Sequence, residues 1–275
     1  MLYRGSDLCD FHLNAKDGRV GKIKDIYFDD LSWTVRYLVV DTGSWLSGRE
    51  VLIAPHVLTG FNDDAQAFLT NLSLQTVNDS PSPEAHRPVS RQYEERLNLH
   101  YGWESYWGHP IYPWANLYAY PLGVRPYVMP QDESVTAHAV GDHAEKQGDA
   151  HLRSRKEIHG YGIIATDGLI GEINDVLIEP GSWRITHLVA DTRTWWPGKH
   201  VVIDRGMVRK INWFDRRVEL DLTRAELRNS PEYRPGMTVV EEYQREISAY
   251  YSQLAARNDR EIKFRRERHL EGPTA

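Results

Sequence analysis

The sequence predicts a mainly β protein with flanking helices, in which two small antiparallel β-barrels are each followed by a helix. Three observations lead to this prediction. The chain repeats itself after 150 residues. The first part of each copy alternates short stretches of β-branched and aromatic residues with turn residues, which is typical of small β-domains. The last part of each copy places large apolar residues four positions apart, which indicates one face of a helix.

The internal repeat aligns residues 2–101 with residues 152–251 without a gap, and 24 of these 100 positions are identical. Chance matching would give well under half of that number and would not keep the same glycines and tryptophans. Self-similarity at a fixed spacing indicates one fold used twice. The chain therefore divides into four predicted segments: a first barrel unit with its helix at 1–101, an aromatic, proline-rich and then polar linker at 102–151, a second unit with its helix at 152–251, and a charged tail at 252–275.

The strands of each copy are predicted from residue type and from the turns between them. Residues 33–40 and 49–53 are rich in side chains that favour strands. Asp17 and Gly18 lie between extended stretches and suit a tight hairpin. The turn predicted at residues 29–32 has a Pro-Gly pair in its second copy, which fixes a turn. Closing such short strands into a barrel would remove the edges of the sheet.

Each copy ends in a predicted helix. Large apolar residues recur there at a spacing of four, which places them on one helical face. A Ser-Pro pair precedes each set and suits a turn before the helix. The two sets are Tyr93, Leu97 and Tyr101 in the first copy, and Tyr243, Ile247 and Tyr251 in the second.

Tryptophans are the candidate partner-binding residues. Residues 101–127 hold nine Trp or Tyr side chains between prolines, which exclude a continuous helix or a central strand there. This strip either wraps over the two barrels or offers a surface to a partner. A loop in each copy holds further tryptophans that either cap the barrel end or anchor an interface. The six candidates are Trp45, Trp103, Trp107, Trp114, Trp195 and Trp196.

The net charge of -6 and the single cysteine, Cys9, limit the classes of function. Phosphate backbones need clustered Lys and Arg, so nucleic acid is disfavoured as the main partner. One cysteine forms no internal disulfide. The chain has no apolar run long enough for a transmembrane helix, and residues 1–10 do not resemble a signal peptide. We expect a cytoplasmic protein, with peripheral contact between its charged tail and a membrane left open.

No set of residues predicts catalysis. The two copies share two aspartates, which form the equivalent pairs Asp25 with Asp175 and Asp41 with Asp191, but neither pair is accompanied by a base or a nucleophile. Such carboxylates commonly accept hydrogen bonds from backbone N–H groups at turns or strand ends. We favour that interpretation over acid–base catalysis by these aspartates.

Metal and cofactor sites are not indicated either. Four histidines, His138, His143, His151 and His159, lie in one stretch but lack the spacing of a zinc site. The paired glycines at the start of each copy do not form a nucleotide-binding motif, and a hairpin explains them better. We therefore expect no metal and no cofactor.

The two copies share a motif that can be written DGxxGxIxDxxxxxxSWxxxxLVxDTxxW, followed by Ser-Pro and the helix with spaced tyrosines. The motif resembles the PRC-barrel family, and residues 2–101 and 152–251 each resemble one complete copy. That family includes the cytoplasmic domain of the photosynthetic reaction centre H subunit and the C-terminal domain of the ribosome maturation factor of the Rim type. The resemblance implies a small β-barrel with an adjoining helix, used as a docking module.

We accordingly predict a non-enzymatic protein-interaction or adaptor module with an unidentified protein partner. Two alternatives stay open through the resemblance. One is an accessory protein at a membrane complex related to the H subunit, and hence to the light reaction of photosynthesis. The other is an adaptor in RNA processing or ribosome maturation. An enzyme that uses the aspartate pairs is the alternative from a different class of function.

Overall fold

The computed structural model describes residues 2–62, 64–81, 91–103, 152–192, 200–234 and 240–270. These residues belong to two compact units, each of which draws on both copies of the repeat. The N-terminal unit lies within Phe11–Ser32 and Arg36–Arg153, and the C-terminal unit lies within Met1–Asp10, Trp33–Val35 and Ser154–Ala275.

Strands dominate both copies of the repeat. The strands are β1 (Tyr3–Arg4), β2 (His12–Ala15), β3 (Gly18–Asp29), β4 (Thr34–Asp41), β5 (Glu50–Ile53), β6 (Leu58–Asn62), β7 (Ala67–Thr70), β8 (Leu152–Ser154), β9 (Gly162–Ala165), β10 (Gly168–Ile178), β11 (Ile185–Asp191), β12 (His200–Asp204), β13 (Val208–Asn212), β14 (Arg217–Leu220) and β15 (Glu232–Tyr233). The helices are α1 (Gly5–Leu8), α2 (Leu74–Asn78), α3 (Arg91–Tyr101), α4 (Arg155–Ile158), α5 (Arg224–Arg228) and α6 (Glu241–Leu270).

The sheet of the N-terminal unit has the strand order β5-β4-β3-β2-β7-β6, and β8 pairs with β3 outside this path. The pairs β2–β3, β4–β5 and β6–β7 are antiparallel, whereas β2 and β7 run parallel. Three apolar residues of the long strand β3, Val20, Ile23 and Ile26, are fully buried. These side chains belong to the core of the unit.

The sheet of the C-terminal unit has the order β13-β14-β9-β10-β11-β12-β15, and β1 pairs with β10 outside this path. Here β9 and β14 run parallel. With β15 set aside, the order is that of the N-terminal unit, strand for strand, under the shift of 150 residues. The long strand β10 pairs along its first half with β9 and along its second half with β11.

The prediction of two closed antiparallel barrels is not confirmed. Both sheets are open over the residues that the structure describes, and each contains one parallel pair. The parallel pair arises because the β6–β7 hairpin brings β7 beside β2 in the same direction, and the β13–β14 hairpin does the same for β14 beside β9. The coarser prediction of a mainly β protein with adjoining helices is confirmed.

The strand predicted from Trp33 begins one residue later, at Thr34. Trp33 has a φ of 55°, which is the left-handed region and not that of a strand, and Trp183 has the same φ. Each tryptophan therefore belongs to the turn that precedes its strand. The turn predicted from the Pro-Gly pair is confirmed, and Gly181 adopts a φ of 85° in it.

The two predicted helices are confirmed as α3 and α6, and all of their spaced apolar side chains are buried except Tyr101, which is partly buried. Helix α3 ends at Tyr101 because Gly102 takes a φ of 70° and the N–H of Trp103 donates to the carbonyl of Asn98 at 2.8 Å. The residue equivalent to Gly102 is Ser252, and α6 continues to Leu270. No helix in the described ranges is long and apolar enough to cross a membrane.

The first strand of each copy is built into the sheet that contains the rest of the other copy. Strand β1 pairs with β10, through Tyr3 with Ile178 and Arg4 with Leu177. Strand β8 pairs with β3, and Leu152 packs into the apolar core of the N-terminal unit. The compact units therefore differ from the segments predicted at 1–101 and 152–251, which keep each first strand with its own copy.

Candidate functional site: an acceptor groove at Asp175 and an aromatic hairpin

Residues 3–8, hereafter the N-terminal segment, fill a groove in the C-terminal unit, hereafter the acceptor groove, whose walls are the second half of β10 and Arg155. Asp175 lies at its centre and is 2% exposed. Its carboxylate oxygens accept the N–H of Ser6 at 3.2 Å, and Oδ2 accepts the hydroxyl of Ser6 at 2.5 Å. The N–H of Val176 donates to Oδ1 at 2.9 Å.

Two arginines face the same carboxylate. Arg4 Nε lies 3.5 Å from Oδ2 of Asp175, and Arg155 Nη1 lies 3.5 Å from Oδ1. A buried carboxylate is tolerated only where opposite charge and hydrogen bonds replace water. Because Arg4 and Ser6 come from the N-terminal segment, the full compensation exists only while the segment occupies the groove.

The N-terminal segment is also closely packed in the acceptor groove. Leu8 is fully buried. A Cβ atom at Gly5 would lie 2.6 Å from Cδ of Arg155 and 2.9 Å from Cγ2 of Val176. The N-terminal segment is thus held by strand pairing at residues 3 and 4, close packing at Gly5 and hydrogen bonding at Ser6.

The shared aspartates make the backbone contacts expected of carboxylates at turns and strand ends. Asp25 accepts the N–H of Ile26 at 2.8 Å, and Asp41 accepts the N–H of Gly43 at 2.8 Å. Asp25, Asp41 and Asp175 thus each accept a backbone N–H as predicted, but only Asp41 lies at a strand end, whereas Asp25 and Asp175 lie within β3 and β10. Asp191, the counterpart of Asp41, is 5% exposed.

No group of three or more His, Cys, Asp and Glu side chains in the described part of the chain could hold a metal ion. Of the four histidines weighed from the sequence, His159 is exposed. The other three, His138, His143 and His151, lie outside the described residues.

A buried histidine distinguishes the C-terminal unit from the N-terminal one. His187 on β11 is 6% exposed, and its Nε2 lies 3.7 Å from Oδ2 of Asp204, its partner on β12. Its Nδ1 lies 2.9 Å from the hydroxyl of Thr186. Burial lowers the pKa of His187, and the nearby carboxylate of Asp204 only partly opposes this effect. The equivalent residue in the N-terminal unit is Tyr37, which is also buried.

Acid is expected to weaken the C-terminal unit through His187. Because the pKa of this histidine is lower in the folded chain than its ordinary value of 6.5, unfolding favours proton uptake, and stability present above pH 6.5 is lost as the pH falls below it. His187→Tyr, which introduces the residue of the other copy, should flatten this part of the pH dependence in urea unfolding. His159→Tyr, at an exposed position, is the control. Parallel pH profiles for wild type and His187→Tyr would contradict the prediction.

Two of the six candidate tryptophans lie within the described residues. Trp45 is 40% exposed, and its Nε1 donates to the carbonyl of Val20 at 2.5 Å. Trp103 stacks on Tyr101 with 4.2 Å between ring centroids and packs against the apolar core. Trp103 is thus largely a packing residue, whereas Trp45 is anchored with part of its ring exposed. The other four lie outside the described residues: Trp107, Trp114, Trp195 and Trp196.

An exposed aromatic residue lies on the hairpin between β13 and β14, residues 212–217, hereafter the aromatic hairpin. Phe214 is 94% exposed. Its neighbour Trp213 contacts the edge of Tyr161 with 5.7 Å between ring centroids. The guanidinium of Arg216 lies 5.2 Å from the centroid of the same tyrosine ring. These two contacts hold the hairpin against the C-terminal unit, so Phe214 extends from a supported turn.

Sequence reasoning missed both the aromatic hairpin and the acceptor groove. The hairpin had a readable signal, because Trp213 and Phe214 stand where the first copy has Asp63 and Asp64. An exchange of acidic for aromatic residues at a turn is a local departure from the repeat. The groove had no such signal, because Ser6 and Asp175 are 169 positions apart and no sequence pattern connects them.

Comparison with known proteins supports a family assignment over part of the chain. No similar protein was found among curated proteins. A family model matches the segment that runs from β1 to β7. Residues 3–69 are thereby identified as a PRC-barrel domain.

Proposed function

We propose that the chain is a tandem PRC-barrel protein that binds a protein partner through its C-terminal unit and catalyses no reaction of its own. Three findings support the proposal. Residues 3–69 match the PRC-barrel domain. The sheets of the two units share their strand order under the 150-residue shift. The aromatic hairpin gives the C-terminal unit an exposed apolar anchor.

The exposure of Phe214 is the observation that carries this proposal. Aromatic and arginine side chains are the residues that most often dominate the binding energy of protein interfaces. Two neighbours of Phe214 on the hairpin belong to these types, since Trp213 is aromatic and Arg216 is an arginine. The packing of Trp213 and Arg216 on Tyr161 restricts the hairpin before binding, which lowers the entropy lost when a partner docks.

The charges beside Phe214 indicate the chemistry of the partner. Exposed cationic residues on the two strands and the turn outnumber the acidic ones there, Asp215 and Glu219, although Arg209 is itself paired with Glu219 at 2.8 Å and with Asp221 at 3.8 Å. A matching surface would hold an apolar pocket for the phenyl ring with carboxylates around it, because complementary charges steer association. The cationic residues are Arg209, Lys210, Arg216 and Arg217.

Phe214→Ser is expected to weaken partner binding while leaving the fold intact. The side chain is 94% exposed, so its removal should change the thermal midpoint little. Affinity should fall about tenfold or more if Phe214 is an interface anchor. The matched control is Leu31→Ser, which removes another exposed apolar side chain, 69% exposed, from a turn of the N-terminal unit. Binding is measured by quantitative cross-linking and mass spectrometry in native lysate, followed by titration of the recovered partner.

The same pair of variants separates the alternatives. Partners retained by wild type and Leu31→Ser but lost from Phe214→Ser support the proposal. Flotation with anionic vesicles that depends on Phe214 would replace the protein partner with a membrane surface. Equal recovery of all proteins by the three chains would remove the aromatic hairpin from the function.

A further inference from the structure

We propose that the acceptor groove also binds the N-terminal segment of a second copy of this chain, so that two chains form a dimer by exchanging their first strands. This inference does not depend on the aromatic hairpin or on the partner proposed above. It rests on the contacts of the N-terminal segment inside the C-terminal unit. Its occupant is defined chemically by the groove: a two-residue strand followed by one helical turn that carries a glycine, a serine and a leucine at fixed spacing.

The pairing of the two first strands repeats reciprocally under the shift of 150 residues. Strand β1 pairs with β10, and strand β8 pairs with β3, so the first strand of each copy pairs with a strand of the other copy. Within the C-terminal unit, the N–H of Val35 donates to the carbonyl of Trp183 at 2.9 Å, and the N–H of Ile185 donates to that of Trp33 at 2.7 Å. Reciprocal contacts of this kind are the pattern of an interface between two identical chains. One polypeptide here makes, within itself, the contacts of a strand-exchanged pair.

The covalent path of the chain permits the exchange. The N-terminal segment belongs to the C-terminal unit, whereas the chain enters the N-terminal unit at Phe11, directly after Asp10. The segment is therefore joined to one unit by covalent bonds and to the other by contacts alone. A second copy supplies the same Arg4, Ser6 and Leu8 to the same groove. The exchanged dimer therefore makes between chains the same hydrogen bonds and ion pairs that the monomer makes within one chain.

Concentration decides between the two arrangements. A tethered segment competes at an effective concentration on the order of millimolar, so folding at low protein concentration yields the closed monomer. Refolding near that concentration should yield a growing fraction of exchanged dimer. Once formed, the dimer should persist on dilution, because its conversion requires a buried strand to leave the groove.

Disulfide trapping between two different full-length chains tests the proposal. Cys9→Ser first removes the single cysteine. One chain then carries Tyr3→Cys and the other, labelled with a heavy isotope, carries Ile178→Cys, because these residues are partners across the β1–β10 ladder. Neither chain alone can form the 3–178 disulfide. The two are refolded together at low and at high concentration, oxidised, and mapped by peptide mass spectrometry. A mixture of Tyr3→Cys with Leu31→Cys is the control for random collision.

The expected result is a light–heavy 3–178 disulfide whose yield rises with concentration and exceeds that of the control. A yield at the control level at every concentration would overturn the proposal. Ile178 is fully buried, so a second measurement uses the unmodified sequence. Light and heavy wild-type chains refolded together should give a mixed dimer by native mass spectrometry. Monomer alone at every concentration would likewise refute the exchange.

Discussion

Gly171→Ala is expected to destabilise the C-terminal unit by about 3 kcal/mol or more, because the added methyl group overpacks a site that side-chain motion cannot relieve. A Cβ atom at Gly171 would lie 2.0 Å from the carbonyl oxygen of Asp191, where ordinary contact begins at 3.4 Å. The added Cβ would be fixed to the backbone of β10, and the carbonyl belongs to the backbone of β11. Relief of the clash therefore requires these paired strands to separate. Gly21→Ala should affect the N-terminal unit equally, because its Cβ would lie 2.0 Å from the carbonyl oxygen of Asp41.

The measurement is urea unfolding, with hydrogen exchange to assign the loss to one unit. Gly60→Ala is the matched control, since its Cβ would meet only a side-chain methyl of Leu69, at 4.0 Å. That substitution should change the free energy of unfolding by about 0.5 kcal/mol or less. If Gly171→Ala changed the free energy of unfolding as little as Gly60→Ala, the close approach of β10 and β11 at Gly171 would be contradicted. The sequence interpretation of the paired glycines as hairpin residues alone is corrected by this contact.

Asp175→Ala is the second large effect that we expect, a loss of about 3 to 5 kcal/mol from the C-terminal unit. The substitution removes the acceptor for Ser6 and Val176 and leaves Arg4 and Arg155 without the carboxylate that they face. Uncompensated buried charge, more than the lost hydrogen bonds, accounts for the size of this effect. The N-terminal segment should also become mobile, because its main polar anchor is gone.

Stability is measured by urea unfolding, and release of the segment by hydrogen exchange at residues 3–8. Glu50→Gln is the control, because it breaks a pair with Lys24 whose atoms lie 2.6 Å apart but whose side chains are both exposed. Such an exposed pair contributes about 0 to 1 kcal/mol. Slow exchange at residues 3–8 in Asp175→Ala would show that strand pairing alone holds the segment.

Local patterns predicted the elements of this fold well. The helices at Tyr93 and Tyr243 follow from a spacing of four, which depends only on helical geometry within a few turns. The turn at Gly181 follows from its neighbour Pro180, and the backbone role of Asp41 follows from its position at a strand end. Each of these signals connects residues that are close in the chain.

The sequence by itself determined that two similar β-rich segments exist, where their strands and turns lie, and that residues 3–69 carry the pattern of a PRC-barrel domain. Only the tertiary structure decided that the sheets stay open over the described residues and that β1 joins β10. It also decided that Asp175 binds Ser6 across 169 positions. The physical reason is that burial, charge compensation and close backbone approach depend on which distant segments meet, and a repeat presents two equivalent sheets to each first strand.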